Sequence, residues 1–543
     1  VLKLLSNFPK DYTPTSQQVY LIEEIEKAYK DGYKFVVCCA PTGSGKSFIS
    51  KTLGNTAKEC SSTYSELINT YQAFKGTGSG GYAYEDDLSQ ESSHSAVALT
   101  ITKALQDQYK SQFSDTEILK GKSNYKCVVD ESCTAEVAPC LLSKNLKNSC
   151  WKEDICPYYR ARNASLVARF SSLNYNMFFS LPSHVKRREY MICDEASELE
   201  DQFVKEFTCT LPLDMFKKYK LNISAFPNTH DRDKVYKWIN TLSVLIRDNI
   251  ADIIAYLNDN KKKVELASKK QELVFFQRIG NKVKTLVETW LQSEYIIERA
   301  DKSITFTPLK INKLTHHLFD YADKVLLMSA TIIDPTNFCK QLGIDKFKYI
   351  EAPSAFDPKN APILVASKVK LNYSNLQSNL PVIAKTIKTI CDYHGKDKGI
   401  IHTQTNQITN YLKDNLKMDR ILYRELGVTN ENILELHTNS PDPTVLASPS
   451  MGFGVDLKGD LAKFQIIVKA PYLPMGDKRI EMMMKLDSNW YLNAMLCSLI
   501  QACGRGVRSV DDKCITYILD LGIVEAVIKN KHKIPKYFLD RFV

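Results

Sequence analysis

The chain has 543 residues, 44% of them apolar and 25% charged, the balance of a globular protein too long for a single core. Its apolar runs all fall far short of the roughly 20 residues a membrane helix needs. The 72 basic residues outnumber the 62 acidic ones by ten, a mild excess that admits a nucleic-acid groove without requiring one.

In chain order, "KFVVCC" at 34–39 reads as a short buried strand, and "SFISKTL" after it as the start of a helix. Between them stands "APTGSGKS" (Ala40–Ser47), a phosphate-binding loop with Ala where the first Gly is usual. Backbone N–H groups from Gly43 to Lys46 can cradle phosphates, Lys46 can neutralise them, and the Ser47 hydroxyl can bind Mg²⁺. The stretch 75–95 has almost no large aliphatic residue and reads as a surface loop. It contains a formal G-x-G-x-x-G (Gly76, Gly78, Gly81), but no strand leads in and no amphipathic helix follows, so the dinucleotide reading fails.

"AVALTIT" (Ala96–Thr102) is a second strand and "EYMICDEA" (Glu189–Ala196) a third. At the end of the third, Asp194 is placed to hold Mg²⁺ and Glu195 to polarise the attacking water. From 200 to about 310, apolar residues recur at three- and four-residue spacing, the mark of a helical insertion. Strand-like segments return at 324–331, 399–403, 444–448, 464–470 and 514–521. Strands alternating with helices imply a parallel sheet twice over, before and after about residue 335. Near the end, "QACGRGVRS" (Gln501–Ser509) puts Arg505 and Arg508 on one helical face, suited to charge developing on a transferring phosphate.

Between the second and third strands lie five of the chain's fifteen cysteines: Cys127, Cys133, Cys140, Cys150 and Cys156. The absence of a secretory leader pattern predicts a cytoplasmic protein, where clustered thiols serve as metal ligands more often than as disulfides. Intervals of five, six, nine and five residues suit a zinc ribbon poorly. A four-thiolate iron–sulfur cluster tolerates such irregular loops. On the residues alone, zinc and cluster both stand.

The order of these motifs resembles the superfamily 2 helicases, and more narrowly the iron–sulfur helicases of the XPD/Rad3 and DinG type. "APTGSGKS" matches motif I, "TITKALQDQY" (Thr100–Tyr109) motif Ia, "DEAS" (Asp194–Ser197) motif II and "MSATI" (Met328–Ile332) motif III. "GIIHTQT" (Gly399–Thr405) matches motif IV, "SPSMGFGVDL" (Ser448–Leu457) motif V, and "QACGRGVRS" motif VI. "KGKSNYKC" (Lys120–Cys127) and "CPYY" (Cys156–Tyr159) look like the family's settings for the first and fourth cluster ligands. Two positions depart from the pattern: Phe453 where motif V usually has an acidic residue, and Ser197 where motif II often ends in His.

The resemblance implies an α/β fold of two RecA-like parallel-sheet domains with ATP in the cleft between them. Residues 1–335 would form the first, carrying a cluster insertion at 120–160 and a helical arch at 200–310; residues 336–543 would form the second. ATP would be held by Pro41, Thr42, Gly43, Ser44, Gly45, Lys46 and Ser47, with Gln18 of "TSQQVYLIEEI" reading adenine and Asp456 completing the site. Ser47 and Asp194 would bind Mg²⁺. Lys46, Asp194, Glu195, Gln501, Arg505 and Arg508 would serve catalysis. Cys127, Cys140, Cys150 and Cys156 would hold a [4Fe-4S] cluster, Cys140 being preferred to Cys133 because it follows the turn-like Ala-Pro. Thr100, Thr102, Asn174, Tyr175 and Thr403 would touch single-stranded DNA.

The implied activity is ATP-dependent DNA unwinding with 5′→3′ movement, on forked or 5′-tailed duplex or R-loop substrates, in replication, repair or recombination. The expected enzyme is a monomer without membrane contact, of microbial or viral origin and acting in the cytoplasm, beside replication or recombination proteins. With 39 residues ahead of the P-loop, no fused N-terminal nuclease is expected. The alternatives are a translocase that strips proteins without unwinding and a nucleic-acid-binding module with a vestigial ATPase.

Overall fold

The structure, a computed structural model, describes residues 3–41, 43–58, 95–141, 146, 149–150, 155–229, 231–259, 266–353, 357–423, 429–449, 459–506 and 512–543. The glycines of the rejected dinucleotide pattern, together with Thr42, Phe453, Asp456 and Arg508, lie outside the described residues.

Sixteen strands are described: β1 Phe35–Cys39, β2 Ala96–Thr100, β3 Glu117–Leu119, β4 Phe170–Asn174, β5 Arg188–Cys193, β6 Cys209–Pro212, β7 Tyr295–Ala300, β8 Ser303–Pro308, β9 Ala322–Ser329, β10 Phe347–Glu351, β11 Ile363–Val365, β12 Gly399–His402, β13 Ile421–Tyr423, β14 Val445–Ser448, β15 Phe464–Ile467 and β16 Ile515–Ile518. Seven build a first sheet in the order β10-β1-β9-β5-β2-β4-β3, and six a second in the order β11-β16-β15-β12-β14-β13. Every pairing in both is parallel.

The continuous apolar runs read from the sequence are what a parallel sheet covered on both faces requires. Alternate residues of each strand enter different cores. Val37, Cys39, Val97, Leu99, Met191, Cys193, Val325 and Leu327 face one way. Val36, Cys38, Ala96, Ala98, Tyr190, Ile192, Leu326 and Met328 face the other. The second sheet divides likewise, with Ile401, Val445, Ala447 and Ile466 on one side and Ile400 and Leu446 on the other.

The first sheet extends past residue 335. The strand β10 pairs with β1 from Phe35↔Phe347 to Cys39↔Glu351, so the chain leaves this sheet beside the strand that carries the phosphate loop. The insertion expected to be helical contains two long helices, Arg232–Asp259 and Leu266–Thr289, packed on a shared core with Trp238, Ile246, Phe276 and Trp290. It also carries an antiparallel sheet, β6-β8-β7, that helical periodicity had hidden. Among the described residues no helix is long and apolar enough to cross a membrane.

Candidate nucleotide site and cysteine cavity

The phosphate loop turns from β1 into the helix Lys46–Thr56 through two left-handed glycines, Gly43 (φ 79°) and Gly45 (φ 73°), a conformation that side chains resist. A Cβ at Gly45 would lie 2.2 Å from Gln18 Nε2, because that carboxamide rests on the loop. Gln18 donates to the Ser44 carbonyl at 3.3 Å, while its Oε1 accepts from the Thr15 N–H at 3.0 Å. With the Thr15 hydroxyl accepting from Gln18 N, this forms the capping box that starts the helix Ser16–Lys30. The neighbouring Gln17 side chain donates to the Pro353 carbonyl, just beyond β10.

Around this loop the expected groups converge. Pro41 O accepts from Ser44 N at 3.3 Å, and Lys46 Nζ folds back onto the Ala40 carbonyl at 3.4 Å. Ser47 Oγ donates to Gln112 Oε1 at 2.9 Å. Asp194 Oδ2 accepts from the Tyr109 hydroxyl at 3.3 Å. Burial, reinforced by Glu195 and opposed by Lys46, pushes the Asp194 carboxyl up to about 6. A carboxyl so poorly solvated is stabilised in its charged form by an arriving cation. Glu195 stands in left-handed backbone (φ 50°), and its carboxylate accepts from Ser329 Oγ at 3.4 Å.

The second sheet reaches the same place through Gln501, in the last turn of the helix Ser488–Cys503. Its Nε2 lies 3.3 Å from Ser197 Oγ, 3.1 Å from Glu198 Oε1 and 3.3 Å from Thr331 Oγ1. Ser197 Oγ is 2.9 Å from Ser329 Oγ, so the serine ending motif II joins a hydroxyl network where an imidazole is usual. Arg505 lies close enough to His402 to help burial push that imidazole down to about 4.

Tyr109, Gln112, Ser329 and Thr331 had not been assigned roles. Tyr109 and Gln112 stand three apart on one helix, a spacing that puts both on the face toward the phosphate loop. Ser329 and Thr331 lie inside the quoted "MSATI" but were not singled out.

The residues expected to touch DNA divide. Thr100, Tyr175 and Thr403 are buried and bonded inward: Thr100 Oγ1 to the Thr102 carbonyl at 3.2 Å, Tyr175 OH to the Asp194 carbonyl at 3.3 Å, Thr403 Oγ1 with Thr409 Oγ1 at 2.6 Å. Thr102 and Asn174 cap helices at the ends of β2 and β4, accepting from Leu105 N at 3.3 Å and Met177 N at 2.8 Å. Thr102 is exposed.

The cysteine loop encloses a cavity of about 240 Å³ lined by Cys127, Cys140, Cys150 and Cys156. Cys133 does not line it; its thiol turns to the Asp130 carbonyl at 3.2 Å. Burial raises the Cys140 thiol, with Cys150, Cys127 and Cys156 adding to the rise and Lys122 opposing it, while Cys133 lies within hydrogen-bonding reach of Cys127. Among the described residues no three His, Cys, Asp or Glu side chains converge as ligands of one metal ion. Gln277, from the arch helix, also lines the cavity, and its neighbour Arg278 ion-pairs with Glu136 of the loop.

Comparison with known proteins agrees with this geometry. Residues 402–538 match the helicase C-terminal domain family. The chain is 27% identical over 250 residues to the ATP-dependent DNA helicase DinG of Photobacterium profundum, a match spanning 41% of this chain and 35% of that relative. It is 21% identical over 523 residues to the ATP-dependent DNA helicase XPD of Sulfolobus acidocaldarius, covering 89% of this chain and 91% of that one. Among solved structures, an XPD helicase superposes with a TM-score of 0.55 at 16% identity, covering 96% of this chain and 98% of the other. Xpd4 of S. tokodaii gives 0.52 at 15% identity, covering 95% and 97%. The chain is thus similar to ATP-dependent DNA helicases of the XPD and DinG type and shares the XPD fold.

Proposed function

We propose that the protein is an ATP-dependent DNA helicase that moves 5′→3′ along single-stranded DNA and opens forked or 5′-tailed duplexes. The observation that carries this reading is Gln501, which brings the second sheet onto Ser197, Glu198 and Thr331, beside the carboxylates that face the phosphate loop. A cleft so built couples hydrolysis to domain movement.

Lys46, which now rests on the Ala40 carbonyl, would neutralise the β/γ-phosphates, and Ser47 and Asp194 would hold Mg²⁺, which would offset phosphate charge. Glu195 orients the attacking water, and its left-handed backbone and Ser329 contact fix its direction. Arg505 and Arg508 stabilise charge on the γ-phosphate and draw the domains together. Gln18 reads adenine and Asp456 completes the site. The single strand crosses both sheets at the ends of their strands, where Thr102 and Asn174, now capping helices, would contact phosphate.

The cysteine cavity fits a [4Fe-4S] cluster on Cys127, Cys140, Cys150 and Cys156. The four thiols line one cavity, and four-thiolate cluster ligation tolerates their irregular spacing, whereas a zinc ribbon prefers close Cys pairs. When bound, the cluster supplies covalent cross-links that make a short loop rigid. The first motor unit runs through β10 to Glu351 and the second begins with β11 at Ile363, with 120–160 and 200–310 inserted in the first, and the strand passes between these insertions. The protein works as a monomer in the cytoplasm on replication or recombination intermediates.

Strand displacement tests this directly. ATP-dependent release from a 5′-tailed duplex and none from a 3′-tailed one is the expected result. Single-strand-stimulated ATPase with no displacement would mean a translocase, and no stimulated ATPase would mean a binding module.

A further inference from the structure

At the carboxyl ends of β11, β15 and β16 the second sheet carries an aromatic and basic patch that the motor does not use. The Asp520 carboxylate organises it. Its Oδ1 accepts from Leu371 N at 3.0 Å and Gly522 N at 2.9 Å, and its Oδ2 from Ala470 N at 3.0 Å. The segments leaving β11 and β15 are thereby pinned side by side. Two residues beyond each pinned amide stands a tyrosine open to solvent: Tyr373, 97% exposed, and Tyr472, 45% exposed.

The Tyr472 ring lies flat on Tyr491, with centroids 5.2 Å apart and planes 19° from parallel. Tyr491 is itself fixed, its hydroxyl donating to the Leu473 carbonyl at 2.9 Å. One face of Tyr472 is thus supported by a ring that cannot swing away. An exposed tyrosine normally folds down onto apolar surface; this one is propped up. Lys370, on the pinned β11 segment, is close enough to Tyr472 to affect its ionisation, and its ammonium pairs with Glu525 at the surface. Lys368 is exposed on the same segment, and Lys469 immediately precedes the pinned Ala470.

This edge is continuous with motif IV. β12 and β15 are neighbours, from Gly399↔Phe464 to His402↔Ile467, so Thr403 and the segment 468–472 leave the same end of the sheet. A strand crossing the second domain by its sheet ends passes this patch.

We propose that Tyr472, backed by Tyr491, is a stacking platform for a base of single-stranded nucleic acid, with Lys368, Lys370 and Lys469 meeting the adjoining phosphates. Aromatic faces interleaved with cations are the chemistry of sequence-tolerant single-strand binding. The proposal rests on the helicase reading and adds to it a base contact in the second domain.

The test is fluorescence anisotropy with a labelled oligothymidine of about 20 nucleotides, intact or carrying abasic sites, against the full-length protein. Tyr472→Ala is expected to weaken binding about 5- to 150-fold, the range for loss of one stacked base, while leaving the salt dependence unchanged because no charge is removed. Lys368→Ala with Lys370→Ala is expected to flatten the salt dependence. Tyr472→Trp is expected to bind as wild type does, which separates stacking from misfolding. Abasic sites are expected to weaken the wild type but not Tyr472→Ala any further. If the wild type does not bind the oligonucleotide, the helicase reading itself fails. If it binds and Tyr472→Ala binds equally, with the same abasic penalty, the platform is overturned and the patch is left to a protein partner.

Discussion

The nucleotide cleft and the cysteine cavity hold their polar groups by opposite means. In the cleft Lys46, Ser47 and Asp194 stand at the end of a buried parallel strand or the first turn of a helix, and hydrogen bonds within the protein satisfy them. Lys46 has the Ala40 carbonyl, Ser47 has Gln112, and Asp194 has Tyr109. The cavity is walled largely by turns and short 3-10 segments, and four thiols face one space. The cleft is a finished structure whose internal partners the proposed nucleotide would replace. The described part of the loop is tied by short-range backbone bonds, such as the Cys127 N–H to the Cys133 carbonyl at 3.0 Å and the Ala135 N–H to the Tyr125 carbonyl at 2.9 Å, and its apolar residues, Ala135, Tyr158 and Tyr159 among them, join the core of the first sheet.

This contrast breaks most sharply at Lys46. Lys46→Ala is expected to lower ATP turnover by more than about a hundredfold with the fold intact, measured by phosphate release and thermal melting. Turnover near wild type would remove the phosphate loop from the mechanism.

Next in size is Cys156→Ser. Iron content and the yellow-brown colour of anaerobically purified protein are expected to be lost together with strand displacement, while part of the ATPase survives. Equal loss of both activities would make the loop a general folding element. Cys140→Ser is expected to behave like Cys156→Ser and Cys133→Ser like wild type; the reverse outcome would exchange Cys133 and Cys140 as ligands.

Gln501→Ala sharpens the comparison from the side of the second sheet. It leaves a partly buried Glu198 carboxylate and two hydroxyls short of a donor, and is expected to cost about tenfold in stimulated turnover with nucleotide affinity little changed. Nucleotide titration beside steady-state kinetics separates the two.

The smallest effect concerns pH. His402 and His317 are pushed down by burial to about 4 from the usual 6.5. Below about 6.5 the unfolded chain takes up protons that the native one refuses, so both groups withdraw stability as pH falls from 6.5 toward about 4. Urea midpoints across that range are expected to fall less steeply for His402→Asn than for wild type. An unchanged slope would mean that His402 is protonated in the native state.

Much of this was legible beforehand because parallel strands announce themselves as apolar runs. "FVVCC", "AVALT" and "MIC" appear as strands because both their faces are buried. The strand β4, "FSSLN", escaped because Ser171 and Ser172 interrupt its apolar run although both are buried. The strands β3, β11 and β13 are three residues long, below what periodicity resolves. In the arch, two long amphipathic helices drowned the alternation of "SITFTP". At the site, the motif carboxylates and lysine were readable because their spacing follows from phosphate chemistry. Their supporting partners were not, since Tyr109 and Gln112 acquire meaning only when the helix Lys103–Gln112 is laid across the loop. Burial of Thr100, Tyr175 and Thr403 was equally invisible, because a threonine at a strand end can turn either way.

The strand β10 has a mechanical consequence. It is the edge strand next to β1, and the chain that leaves it goes directly to the second domain. The first residues of that strap are gripped at Pro353 by Gln17, whose neighbour Gln18 rests on the phosphate loop. Tension on the second domain therefore arrives about 4.8 Å, one strand spacing, from the strand that holds the fuel. If the protein moves along nucleic acid as proposed, a resisting strand would pull on the nucleotide pocket through the backbone itself, without a hydrogen-bonded relay across the cleft.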